Sequence, residues 1–124
     1  MTQPVYIAFE GPEACGKSTQ AQRLAESIGA VLTRETGGTE IGAQLRSILH
    51  NIDTIGLDDH AETLIVAADR AQHLAEVVRP ALERGKHVVS DRSVYSSLAY
   101  QGYGRGLLVD DVRRINEWAI GPTW

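Results

Sequence analysis

A chain of 124 residues is long enough for one domain and too short for two. Its 43% apolar and 23% charged residues exclude disorder, and its net charge of −4 argues against a general nucleic-acid or membrane-surface binder. The single cysteine, Cys15, rules out an intrachain disulfide and fits a reducing cytoplasm, and no stretch approaches the ~20 apolar residues of a membrane span.

Val5, Ile7, Ala8 and Phe9, bounded by Pro4 and Gly11, predict a short buried strand. Residues 16–28 predict a helix with Leu24, Ala25 and Ile28 on one face and Gly29 as its stop. Residues 30–33 predict a second strand. Thr36, Gly37, Gly38 and Thr39 predict a turn, with Thr39 capping a helix that runs to about Leu49. Residues 51–57 read as loop.

Asp59 and Glu62 have the spacing of a capping box opening a long helix. Leu64, Ala68, Ala71, Ala75, Val78 and Leu82 recur at helical spacing and predict its buried stripe, with a kink near Pro80 and an end at Gly85. Residues 87–90 predict a third strand that runs into Asp91 and Arg92. A short helix or turn is expected from Ser93 to about Tyr100, then a loop from Gln101 to Gly106. Leu108, Val112, Ile115 and Ala119 mark a last helix, stopped by Gly121 and Pro122. Strands that alternate with helices predict an α/β fold with a parallel sheet.

Gly11-Pro12-Glu13-Ala14-Cys15-Gly16-Lys17-Ser18 matches G-x-x-x-x-G-K-[ST] in full, between a predicted strand and a predicted helix. The glycines let successive N–H groups face one anion, and the helix start adds its unpaired donors. Lys17 supplies a point charge to the β- and γ-phosphates of a nucleoside triphosphate, and Ser18 an oxygen to Mg²⁺. Nucleotide contacts are expected from Gly11 through Ser18 and at Thr19. Cys15 is expected mainly to pack. His50, His60, His73 and His87 lack metal-ligand spacing and read as structural, and Trp118 and Trp124 read as packing positions.

Further segments follow in order: Arg34-Glu35-Thr36-Gly37-Gly38-Thr39, Ala67-Ala68-Asp69-Arg70-Ala71-Gln72-His73, Asp91-Arg92, and Ser96-Ser97-Leu98-Ala99-Tyr100-Gln101-Gly102. With Phe9-Glu10-Gly11 they resemble the thymidylate kinase family of P-loop nucleoside monophosphate kinases over essentially the whole chain. The resemblance implies transfer of the γ-phosphoryl of ATP to dTMP with Mg²⁺. It implies that Glu13 accepts from the sugar 3′-hydroxyl and that Arg92, helped by Arg46, holds the acceptor phosphate. Arg70 would read the thymine edge, Val66 would take the place of a stacking aromatic, Ser97 and Gln101 would touch the base, and Tyr100 would pack near base and sugar. Asp91 would sit near the Mg²⁺. The family's strand order, 2-3-1-4-5, implies a three-stranded sheet here with the first strand at an edge, helices on both faces, and a homodimer contact on the helix around residues 60–82.

Thr36 stands where the family has proline, which loosens that turn, and Ser93 stands where an aromatic or histidine is frequent. Ala14 offers no charge where some members carry a loop arginine. The family continues into a further strand and an arginine-bearing lid, so these 124 residues are expected to be its front part and, alone, a poor catalyst. Another P-loop nucleoside or nucleotide kinase, or a lidless nucleotide-binding module without turnover, are the competing readings.

Overall fold

The computed structural model describes residues 3–12, 15–51 and 54–121, without the side chains of residues 94, 95, 98 and 99. Glu13, Ala14, Pro122 and Trp124 therefore lie outside the described residues.

Three short strands, β1 (Tyr6–Phe9), β2 (Val31–Arg34) and β3 (Val88–Asp91), form a parallel sheet in the order β1-β3-β2. Tyr6 and Val31 both pair with Val88, and Phe9 and Arg34 both pair with Asp91. β3 is thus the middle strand, and its Val88, Val89 and Ser90 are fully buried. β1 is at an edge, as the strand order implied, so its residues are half-buried where a buried strand was expected. A central parallel strand is covered on both faces and flanked on both sides, whereas an edge strand is not.

Side chains alternate across the sheet, and the two faces carry separate cores. On one face Val89 packs with Ala21 and Ala25 of α1 (Lys17–Ile28), supported by Phe9 and Leu24. On the other, Val88 packs with Leu74, Val78, Ala81 and Ile120, supported by Tyr6, Val31 and Leu82. α2 (Glu40–His50) is capped as expected, with Thr39 Oγ1 accepting from Gly42 N at 2.8 Å.

α3 (Asp59–His73) begins one residue earlier than the capping box predicted. Asp58 is the cap, accepting from His60 N at 2.9 Å and Ala61 N at 3.2 Å, which leaves Glu62 free to turn elsewhere. The predicted stripe holds at Val78 and Leu82, which join the core, and is out of phase before them. Leu64 is 56% exposed and Ala68 and Ala75 are exposed, while Thr63, Val66, Ala67, Asp69, Arg70, His73 and Leu74 are buried. α3 packs against α2 and α6, and its inner face carries polar groups paired with one another, so apolar periodicity does not mark the inside.

The kink expected near Pro80 takes the form of a π-helical turn, Leu74–Val78, before α4 (Arg79–Glu83). Proline donates no N–H and its ring crowds the carbonyl four residues back, and one widened turn relieves both. α5 (Val94–Ser97) leads into a second π-helical stretch, Leu98–Gly104, where a loop was expected from Gln101. α6 (Val109–Ile120) buries Val112, Asn116, Ala119 and Ile120. Leu108 caps it and is 71% exposed, and Trp118, expected to pack, is 87% exposed. No helix among the described residues is long and apolar enough to cross a membrane.

Candidate active site

The phosphate loop joins the end of β1 to the start of α1. Gly16 takes φ 86°, a left-handed conformation that suits glycine, and hands the chain to Lys17 at the first turn. A Cβ at Gly11 would lie 3.0 Å from Cys15 Sγ, so the thiol approaches the backbone there, but Cys15 is exposed where packing was expected. The Lys17 ammonium is bonded to Asp91 Oδ1, and Ser18 Oγ donates to Asp91 Oδ2 at 2.5 Å. Partial burial pushes the Asp91 carboxyl upward. The hydrogen bonds from Lys17 and Ser18, with the charges of Lys17 and Arg92, outweigh that and hold it below the usual aspartate value. Ser18 and Asp91 therefore present hard oxygens side by side. Mg²⁺ takes one or two protein oxygens and completes its shell with phosphate and water. The donor set fits that ion, and Ser18 and Asp91 are the residues that would hold it.

Arg92 follows at the end of β3 with φ 76°, a conformation rare for a side-chain-bearing residue. Two bonds hold it there: Arg92 N donates to Phe9 O, and Ser90 Oγ donates to Arg92 O, each at 2.8 Å. The Arg92 guanidinium lies 5.3 Å from the Tyr100 ring centroid, and its Nη1 donates to Tyr100 Oη at 3.0 Å.

Beyond Arg92 opens a cavity of about 560 Å³, large enough for a nucleotide-sized ligand. Arg46, Val66, Arg70, Arg92, Ser97, Tyr100 and Gln101 all line it, from α2, α3, the end of β3, α5 and the second π-helical stretch. Arg46 lays its methylenes on Gly37 and donates from Nη1 to Thr36 O at 3.2 Å. Val66 is buried in the wall.

Arg70 is the most constrained of these side chains. Nε donates to Glu35 Oε1 at 2.6 Å, Nη1 to Ser97 Oγ at 2.8 Å and to Asn116 Oδ1, and Nη2 to Ser93 O at 2.9 Å. The other Glu35 oxygen is 2.8 Å from His73 Nδ1, whose Nε2 is 2.6 Å from Thr33 Oγ1. Burial raises the Glu35 carboxyl, but the Arg70 charge and the contacts with His73 outweigh it and hold Glu35 below its ordinary value. Asp69, one residue before Arg70, is different. Its Oδ1 accepts from Gly37 N at 2.9 Å, and its Oδ2 is buried without a protein partner among the described residues. Burial is the largest influence and leaves its carboxyl above the ordinary aspartate value.

The sequence profile of the thymidylate kinase family matches residues 9–124. The chain belongs to the thymidylate kinase family. It is 48% identical to the thymidylate kinase of Halothermothrix orenii over 97% of its own length and 60% of that protein's. It is 48% identical to that of Bacillus velezensis over 96% of its length and 58% of the relative's. The chain thus spans about three fifths of the length of these curated relatives. The crystal structure of the Ehrlichia chaffeensis thymidylate kinase superposes with a TM-score of 0.90 at 35% identity, covering 97% of this chain and 71% of that one.

Seven of the positions that the thymidylate kinase resemblance singled out for substrate meet in one cavity, and the eighth, Glu13, is outside the described residues. Arg70 was expected to read the thymine edge, and its guanidinium is buried and largely committed to protein acceptors. The partners that commit it, Glu35, Ser93 and Asn116, were not singled out, and neither was Glu62. Glu35 had a visible signal, since it stands inside the Arg34-Glu35-Thr36-Gly37-Gly38-Thr39 segment. Asn116 and Glu62 had none, because each meets its partner only through the packing of α6 and the second π-helical stretch on α3. The four histidines were expected to be structural, and His73 is bonded inside this buried network.

Proposed function

We propose that the cavity binds dTMP and the phosphate loop binds ATP, and that the site transfers the γ-phosphoryl group from one to the other. The observation that carries this reading is the continuity of the two sites through adjacent residues. Asp91 anchors Lys17 and Ser18 of the phosphate loop, and Arg92 opens onto the 560 Å³ cavity.

An acceptor phosphate held in the fork of Arg92, with Arg46 nearby, lies toward Lys17 and so toward the donor γ-phosphate. A new bond forms between an acceptor phosphate oxygen and the γ-phosphorus, the bond to the β-phosphate oxygen breaks, and ADP leaves. Lys17 steadies charge on the transferring oxygens and moves from Asp91 to do so. Mg²⁺, when bound at Ser18 and Asp91, supplies neutralisation of phosphate charge. In the same reading Glu13 receives the sugar 3′-hydroxyl, and Tyr100 packs beside the sugar and base.

A homodimer is part of the proposal. Leu64, Ala68 and Ala75, the helical stripe expected inside, are exposed and line one face of α3 and its π-helical continuation. A second copy would cover that stripe.

The test is an ADP-release assay with ATP, Mg²⁺ and a panel of nucleoside monophosphates, paired with calorimetric titration of each. Selective binding of dTMP supports the reading, and a preference for a purine or cytidine monophosphate overturns it.

A further inference from the structure

Glu62 sits at the mouth of the cavity and touches two other lining residues. Its Oε1 accepts from Gln101 Nε2 at 3.0 Å, and its Oε2 is 3.1 Å from Arg105 Nη2. An ionised carboxylate only accepts hydrogen bonds, whereas an amide carries a donating end and an accepting end. With Glu62 beside it, Gln101 must turn its NH₂ toward the carboxylate. Its Oε1 then has no protein partner among the described residues and is not sealed from solvent. The Arg105 guanidinium holds the second Glu62 oxygen.

Arg70 lines the same cavity and has committed four of its five N–H groups to protein acceptors, leaving one hydrogen on Nη2. The cavity lining therefore includes one uncommitted N–H at Arg70 and one uncommitted amide oxygen at Gln101. A pyrimidine with a carbonyl at C4 and a hydrogen on N3 matches that pair. Cytosine, with an amino group at C4 and a bare N3, presents the reverse.

We infer that Glu62, held by Arg105, is a specificity-positioning residue that locks the Gln101 amide with its oxygen toward the N3–H of the bound base. The inference rests on the dTMP reading of the cavity. Base choice then depends on an acidic residue that itself contacts no base.

The experiment is calorimetric titration of dTMP, dCMP and ATP into the 124-residue chain and into Glu62→Gln. An amide at position 62 can donate or accept, so the Gln101 side chain loses its fixed orientation. The expected result is a fall of about tenfold in the dTMP-to-dCMP affinity ratio, the size of one mispaired polar contact, with ATP affinity unchanged. The double variant Glu62→Gln with Gln101→Glu is expected to recover the ratio. It exchanges the two groups, so the carboxylate now at position 101 can only accept and the amide now at position 62 supplies its donor. An unchanged ratio in Glu62→Gln, an equal weakening of both monophosphates, or a double variant that fails to recover overturns the role. The unmodified chain reports separately on the cavity: if it shows no thymine preference, the dTMP reading fails and this inference with it.

Discussion

Lys17 is bonded to Asp91, so the cation required by the phosphates is held against the residue that would face the metal. Lys17→Ala removes a charge-assisted contact of roughly 1.5–3 kcal/mol. The expected outcome is loss of ATP affinity by one to two orders of magnitude by calorimetry, with an unchanged circular dichroism spectrum. Glu35 makes a different demand. Its carboxyl is held below its ordinary value in the folded chain, so its stabilisation is complete above about pH 5 and disappears as pH falls through the lowered value. Glu35→Gln leaves Arg70 and His73 without their shared anion and is expected to cost about 3–5 kcal/mol at neutral pH, measured by urea unfolding. Asp69 has the opposite sign. Its folded value is raised, so its charge destabilises the fold as pH rises above about 4. Asp69→Asn keeps an acceptor for Gly37 N and removes the charge. Its melting temperature is expected to change less between pH 4 and 7 than that of the unmodified chain, and an equal or steeper dependence would contradict the assignment.

At the scale of elements, the contact of α2 with α3 depends on the absence of a side chain at Gly42. A Cβ there would intrude on Asp69 Oδ1 and lie 2.9 Å from Thr39 Oγ1, the atom that caps α2. Gly42→Ala must therefore push the two helices apart or break both the cap and the Asp69 tether to Gly37. The expected destabilisation is about 2–3 kcal/mol by thermal unfolding, well beyond the ordinary stabilising effect of alanine in a helix. Losing the cap alone, by Thr39→Ala, is expected to cost about 1 kcal/mol. The π-helical turn at Leu74–Val78 has its own consequence. The buried positions run Leu74, Val78, Ala81 across it, so the widened turn keeps the inner face of α4 directed at β3.

For the whole molecule, the question is what covers the apolar surface that a single chain leaves in solvent. Leu64 is 56% exposed in the middle of an otherwise well-packed helix, and a charge at that position is incompatible with a helix-to-helix interface. Leu64→Glu is expected to convert a dimer into a monomer in sedimentation velocity without changing the helical content. A monomeric unmodified chain would remove the dimer from the proposal. β1 is the other open feature, since its outer edge has no strand beside it among the described residues. Parallel edges of this kind pair readily with other chains, so sedimentation should be followed across concentration to separate a closed dimer from open-ended association.

The phosphate loop, the α/β class and the parallel sheet were legible in the sequence because each rests on local spacing, a glycine-lysine-serine pattern or a strand run ended by glycine. The edge position of β1 came only from the strand order that the family resemblance implies. The substrate positions named from the family motifs also meet in one cavity. What spacing could not reveal was the direction in which α3 faces. Leu64, Ala68 and Ala75 have the period of a buried stripe, while Arg70 was assigned to a ligand and His73 to structure with no partner named for either. The structure turns Arg70 and His73 inward instead, because Glu35 arrives from the end of β2 to neutralise Arg70 and bond His73. A buried arginine is tolerated only when its acceptors come from several elements at once, and here they come from the turn after β2, from α5 and from α6. That arrangement is a property of the assembled fold. Sequence determined which chemistry the chain carries, and tertiary contact decided which of its charged groups are locked in place and which remain to meet a ligand.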